Sequence, residues 1–129
     1  MNKRSRNPGF RISEGKGFHI VFANGFAVSV QFGPGNYADI PEAQGGRFGD
    51  FEGPLRALKE HRAWEAGSAE IAVFAPDGEF LNIQEHDQVA GYVSPEHVAA
   101  VIALASVFPA ETTPEFASQA VCKILETGK

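Results

Sequence analysis

The stretch Phe18–Phe32 leaves the chain the fewest ways to fold. It reads FHIVFANGFAVSVQF, two apolar runs around Asn24-Gly25. A two-residue Asn-Gly turn would pair Ala23 with Phe26 and mix polar and apolar side chains on both faces of the hairpin. A three-residue loop, Ala23-Asn24-Gly25, pairs Phe22 with Phe26 and Ile20 with Val28, with Gly25 in the left-handed conformation of a bulge. One face is then Phe18, Ile20, Phe22, Phe26, Val28, Val30 and Phe32, and the other is His19, Val21, Ala27, Ser29 and Gln31. The first face builds a core, while the second can meet solvent or a partner.

A second hairpin is predicted from Ala69 to Ile83. Pro76-Asp77-Gly78 has the chemistry of a type I turn followed by a positive-φ glycine. Pairing Ala75 with Glu79 aligns Val73 with Leu81 and Ile71 with Ile83 on the core side, and sets Phe74 opposite Phe80 on the other. Val89–Val93 reads as a fifth strand. Two helices follow, each with a hydroxyl N-cap, proline at the first helical position and an acid in the first turn: Ser94-Pro95-Glu96 and Thr113-Pro114-Glu115. Val98, Val101, Ile102, Ala105 and Phe108 share one face of the first helix; Phe116, Ala120, Val121, Ile124 and Leu125 form a stripe on the second.

Between the hairpins, residues 33–67 are rich in glycine and proline, and only Pro54–Ala66 reads as a short helix. The predicted fold is therefore α+β: a five-stranded, mainly antiparallel sheet, made of two hairpins plus one strand, with both C-terminal helices on one face. A Gly-rich insertion interrupts it. At 129 residues the chain fits one domain, 17–129, with its own core.

Charge is unevenly placed in a molecule of net charge −5. Residues 1–16 carry Lys3, Arg4, Arg6, Arg11 and Lys16 against Glu14, and are read as a flexible basic arm. Beyond residue 67 the only bases are Lys123 and Lys129. Such an arm on an acidic body can touch nucleic acid through Lys3, Arg4, Arg6 and Arg11. A single cysteine, Cys122, excludes a disulfide within one chain and suits a reducing compartment. No apolar run has the length of a signal peptide or membrane span, so the expectation is a cytoplasmic protein without a membrane partner.

Catalytic signatures are missing. There is no Gly-x-Gly-x-x-Gly, Walker loop, His-Glu-x-x-His or Gly-x-Ser-x-Gly, which weakens an enzyme reading, and no catalytic residue, cofactor or metal is assigned. Glu85-His86-Asp87 and the His61/Glu65 pair fit solvated polar segments better than a metal centre. Cys122 has acidic neighbours, which favour the inert thiol.

Two candidate sites lie in the insertion. Tyr37, Arg47, Phe48, Phe51 and Trp64 combine aromatic and arginine side chains as protein-binding surfaces do. Alternatively, Gly33, Gly35, Asn36 and Tyr37 could form an anion-binding nest for a nucleotide or another small molecule, although Pro34 removes one donor. Sheet edges also make a homodimer a candidate.

In FHIVFANGFAVSVQFGPGNY, AEIAVFAPDGEF and VAGYVSPEHVAAVIALA, the chain resembles small phage- and prophage-encoded proteins of no assigned activity. That resemblance covers Phe18–Tyr37 and Ala69–Ala105 and carries no catalytic residues. It implies a phage-type accessory protein of the host cytoplasm that binds a host or phage protein without catalysis. Inhibition of a host-defence complex such as CRISPR-Cas is one form of that role.

Overall fold

The computed structural model describes residues 7–13, 16–48, 64–84 and 87–127. Five strands lie in chain order in one sheet: β1 (Gly9–Ile12), β2 (Gly17–Val21), β3 (Ala27–Gln31), β4 (Ala69–Phe74) and β5 (Ala90–Val93). Every neighbouring pair is antiparallel. Two helices follow, α1 (Pro95–Ser106) and α2 (Pro114–Glu126). The fold is α+β, as the alternation and the caps predict.

The first hairpin has the three-residue loop. Phe22 N–H donates to Phe26 O at 2.9 Å, Gly25 N–H donates to Phe22 O at 2.8 Å, and Ile20 stands opposite Val28. Gly25 has φ +92°, a conformation that side chains with a Cβ resist. Asn24 does more than turn the chain. Its amide donates to the carbonyls of Ala105 and Phe108, both at 2.8 Å, and its Oδ1 accepts from Phe26 N–H. The hairpin loop thereby satisfies carbonyls that the end of α1 leaves without helical partners. Phe26 and Phe108 pack beside this clamp, ring centroids 5.0 Å apart.

Both helices pack on the predicted core face. Val28, Val30, Ile71 and Val73 from the sheet share one apolar cluster with Val101 and Ala105 of α1 and with Ala117, Val121 and Leu125 of α2. The hydroxyl caps form as expected: Ser94 Oγ accepts from His97 N–H and Thr113 Oγ1 from Phe116 N–H, each at 3.2 Å. On α2 the buried stripe runs through Ala117 rather than Phe116, which is 62% exposed. The smaller residue lets α2 approach the core, so the helix turns its phenylalanine outward.

Two strands differ from expectation. Glu79–Ile83 pairs with β4 only briefly, through the Phe74/Phe80 bridge and Leu81 N–H to Val73 O, and Gln84 then pairs with Asp87. Leu81 and Ile83 are still buried in the core, but β5 takes the remaining edge of β4, with Ala90 opposite Ile71 and Val93 opposite Ala69. Gly9–Ile12, assigned by its charge to an arm, is instead the edge strand β1, with Phe10 opposite Ile20 and Ile12 opposite Phe18. Only four residues long and flanked by basic side chains, it has too little periodicity of its own to reveal itself.

Candidate functional site

The loop after β3 is organised around a carboxylate. Glu70, on β4 opposite Gln31, accepts from Asn36 Nδ2 at 2.9 Å through one oxygen and from Tyr37 N–H at 3.2 Å through the other. Asn36 Oδ1 accepts from Gly33 N–H, Asn36 N–H donates to Gly33 O, and Gly35 N–H donates to Arg47 O. Gly33, Gly35, Asn36 and Tyr37, the donors expected to form a nest for an external anion, therefore donate within the protein. Two of them, Asn36 and Tyr37, donate to the carboxylate of Glu70.

The ends of the insertion are tied together. Ser68 Oγ accepts from Asp39 N–H and donates to Asp39 Oδ2 at 2.7 Å, while Gly67 N–H donates to Asp39 O. Gln44 Nε2 donates to Glu65 O and Gln44 Oε1 accepts from Glu65 N–H, a side chain standing in for a strand partner. Trp64 donates its indole N–H to Phe32 O at 2.7 Å. These bonds cross more than twenty residues of sequence and hold Ala38 and Ile40 in buried positions.

On this base Arg47 is held between two rings. Its guanidinium carbon lies 3.7 Å from the Tyr37 ring centroid and 4.6 Å from that of Phe48, while Nε donates to Asn36 O at 3.2 Å. Tyr92 extends the row, its ring 6.3 Å from Tyr37 in an edge-on arrangement. Phe48 is 82% exposed, Tyr92 52% and Tyr37 48%, so the row faces outward. Each cation–π contact at such a site contributes about 0.5–1 kcal/mol.

Tyr92 reaches the row through a strained backbone. Between Ala90 and Val93 β5 carries one residue more than the facing stretch of β4, a bulge in which Tyr92 has φ +55°. Its N–H donates to Tyr37 O at 2.8 Å. Gly91 makes the approach possible, because a Cβ there would lie 2.5 Å from Tyr37 Cβ. A bulky residue in the left-handed region costs about 1–3 kcal/mol and persists where its surroundings hold it. Here the Tyr37 carbonyl and ring do so.

Of the five residues expected on a binding surface, Tyr37, Arg47 and Phe48 come together. Trp64 is half-buried and acts as a staple, and Phe51 lies outside the described residues. So do Lys3, Arg4 and Arg6 of the basic arm, most of Pro54–Ala66 including His61, and Glu85 and His86. Tyr92 and Glu70 were not singled out by sequence, although a glycine within an apolar strand run is a bulge signal.

Two further titratable groups, His97 and Cys122, lie on the helices. His97 Nδ1 lies 2.6 Å from Ser94 Oγ and Nε2 lies 3.2 Å from Thr127 Oγ1, while Thr127 donates its hydroxyl proton to Ile124 O at 2.7 Å. His97 thus ties the start of α1 to the end of α2. Burial pushes the Cys122 thiol above its ordinary value, and Glu126 adds to the shift. No group of three or more His, Cys, Asp or Glu side chains among the described residues could hold a metal ion. No helix among them is long and apolar enough to cross a membrane.

No family model, curated protein or solved structure matches the chain. The site's chemistry therefore rests on its own geometry: a half-buried cation held between exposed aromatic rings, beside a loop, residues 33–37, whose backbone donors are satisfied within the protein.

Proposed function

We propose that this protein is a non-enzymatic binding module that recognises another protein through Tyr37, Arg47, Phe48 and Tyr92. The observation that carries the reading is the Arg47 guanidinium clamped between the exposed rings of Tyr37 and Phe48. Tyrosine and arginine dominate binding hot spots because they combine large contact area with directed hydrogen bonding. Preformed stacking lowers the entropy lost when the partner arrives. The phage resemblance gives the proposal its specific form, an accessory protein that occupies a host-defence complex and so inhibits it. Capture of partners from a bacterial lysate on immobilised protein tests this reading: Tyr37→Ala/Arg47→Ala should lose the bands that wild type retains. Capture undiminished by that variant and by Phe48→Ala/Tyr92→Ala would overturn it.

A further inference from the structure

At the opposite end of the sheet, β1 presents a different kind of exposed surface. Ser13 N–H donates to Gly17 O, which sets the phase of the β1–β2 ladder. Gly9, Arg11 and Ser13 thus turn their backbone groups toward β2, and Phe10 and Ile12 turn theirs outward. Among the described residues no strand pairs with that outer edge. The side chains of the same two residues stand on the core face, opposite Ile20 and Phe18, yet Phe10 is 84% and Ile12 79% exposed. An edge with open backbone groups and bare apolar side chains is a template for strand addition.

We infer that β1 is the seat of a homodimer, in which β1 of a second copy adds antiparallel across a twofold axis at Arg11. Register selects this arrangement. Placing Arg11 opposite its own copy sets Phe10 against Ile12 of the other chain twice over, so the outward N–H and C=O groups of both residues are answered in both copies. A shift of one residue puts the apolar side chains of the two copies on opposite faces. A shift of two in one direction sets Pro8, which has no N–H, against Ile12, and in the other carries Phe10 past the end of the partner's β1. The strand is thus self-complementary in one register, and the apolar face continues from copy to copy. Four-residue strands cover less than the roughly 800 Å² per partner of a standard interface, so the dimer is weak and forms with concentration.

Sedimentation velocity on the full chain, up to about 1 mM, reads the state directly. The expected result is a mass that rises toward the dimer with concentration. Phe10→Lys/Ile12→Lys should weaken association at least tenfold while circular dichroism and thermal unfolding of the dilute protein stay unchanged. As a second measurement, Arg11→Cys in a Cys122→Ser background should oxidise to a disulfide-linked dimer, because a pair without mutual hydrogen bonds sits about 4.5 Å apart at Cα, within disulfide reach. Asp77→Cys in the same background should cross-link no faster than random collision. A monomer at every concentration, or a dimer that survives the lysine substitutions and leaves Arg11→Cys no more reactive than Asp77→Cys, would overturn the inference.

Discussion

The β1 edge and the Tyr37–Tyr92 row both expose large apolar side chains, and they do so for opposite reasons. At β1 the side chains have little covering them and the outward backbone groups meet no strand among the described residues. At the row the N–H groups of Gly33, Gly35, Asn36, Tyr37 and Tyr92 all donate within the protein, and the rings are exposed because Glu70, Asn36 and the β5 bulge hold them there. An edge of the first kind recognises geometry, since a strand of suitable register satisfies it. A surface of the second kind recognises chemistry, because its groups are fixed before a partner arrives.

Substitutions can separate the two. The largest expected effect is on recognition: Tyr37→Ala/Arg47→Ala should weaken partner capture about 30-fold or more, equivalent to about 2 kcal/mol, and leave sedimentation unchanged. Glu70→Ala should unsettle the row without removing any of its side chains. Its loss strands the Asn36 amide and Tyr37 N–H, and should cost about 2 kcal/mol in urea unfolding together with most of the capture. If capture survived intact, Glu70 would not be what organises the surface.

Asn24→Ala supplies a control remote from the row. It leaves the carbonyls of Ala105 and Phe108 without their side-chain donor and should lower stability by about 1.5 kcal/mol, with capture per folded molecule unchanged. Trp64→Phe removes one indole hydrogen bond and should cost about 1 kcal/mol while preserving capture. Lost capture at unchanged stability would return Trp64 to the recognition surface.

The smallest effect concerns Cys122. Because its thiol titrates higher in the folded protein, the fold favours the protonated form. This contribution to stability is fully present below the unfolded pKa and is lost as pH rises through the folded one. Iodoacetamide at mildly alkaline pH should therefore alkylate native Cys122 more slowly than the urea-unfolded chain.

Much of the architecture was legible because it is local. Alternation and the Ala23-Asn24-Gly25 loop define the first hairpin, Ser94-Pro95 and Thr113-Pro114 start the helices, and Pro76-Asp77-Gly78 turns the chain where expected. The site was half legible. Tyr37, Arg47 and Phe48 stand out by type within a Gly-rich segment, whereas Glu70 looked like an ordinary polar strand residue and Tyr92 like the outer face of a strand. What makes those two part of the site is contact across 33 and 55 positions of sequence.

The sequence by itself thus determined which segments extend, where they turn, where helices begin and which face of the first hairpin is apolar. Backbone sterics, turn chemistry and period-two alternation act over a few residues and are written into them directly. Tertiary structure decided the competition for strand edges: β5 rather than Glu79–Ile83 along most of β4, and β1 rather than solvent along β2. It also decided that the glycine loop closes on the protein's own carboxylate. Those outcomes depend on which of several comparable partners reaches an edge or a loop in the folded chain, and no local pattern encodes that choice.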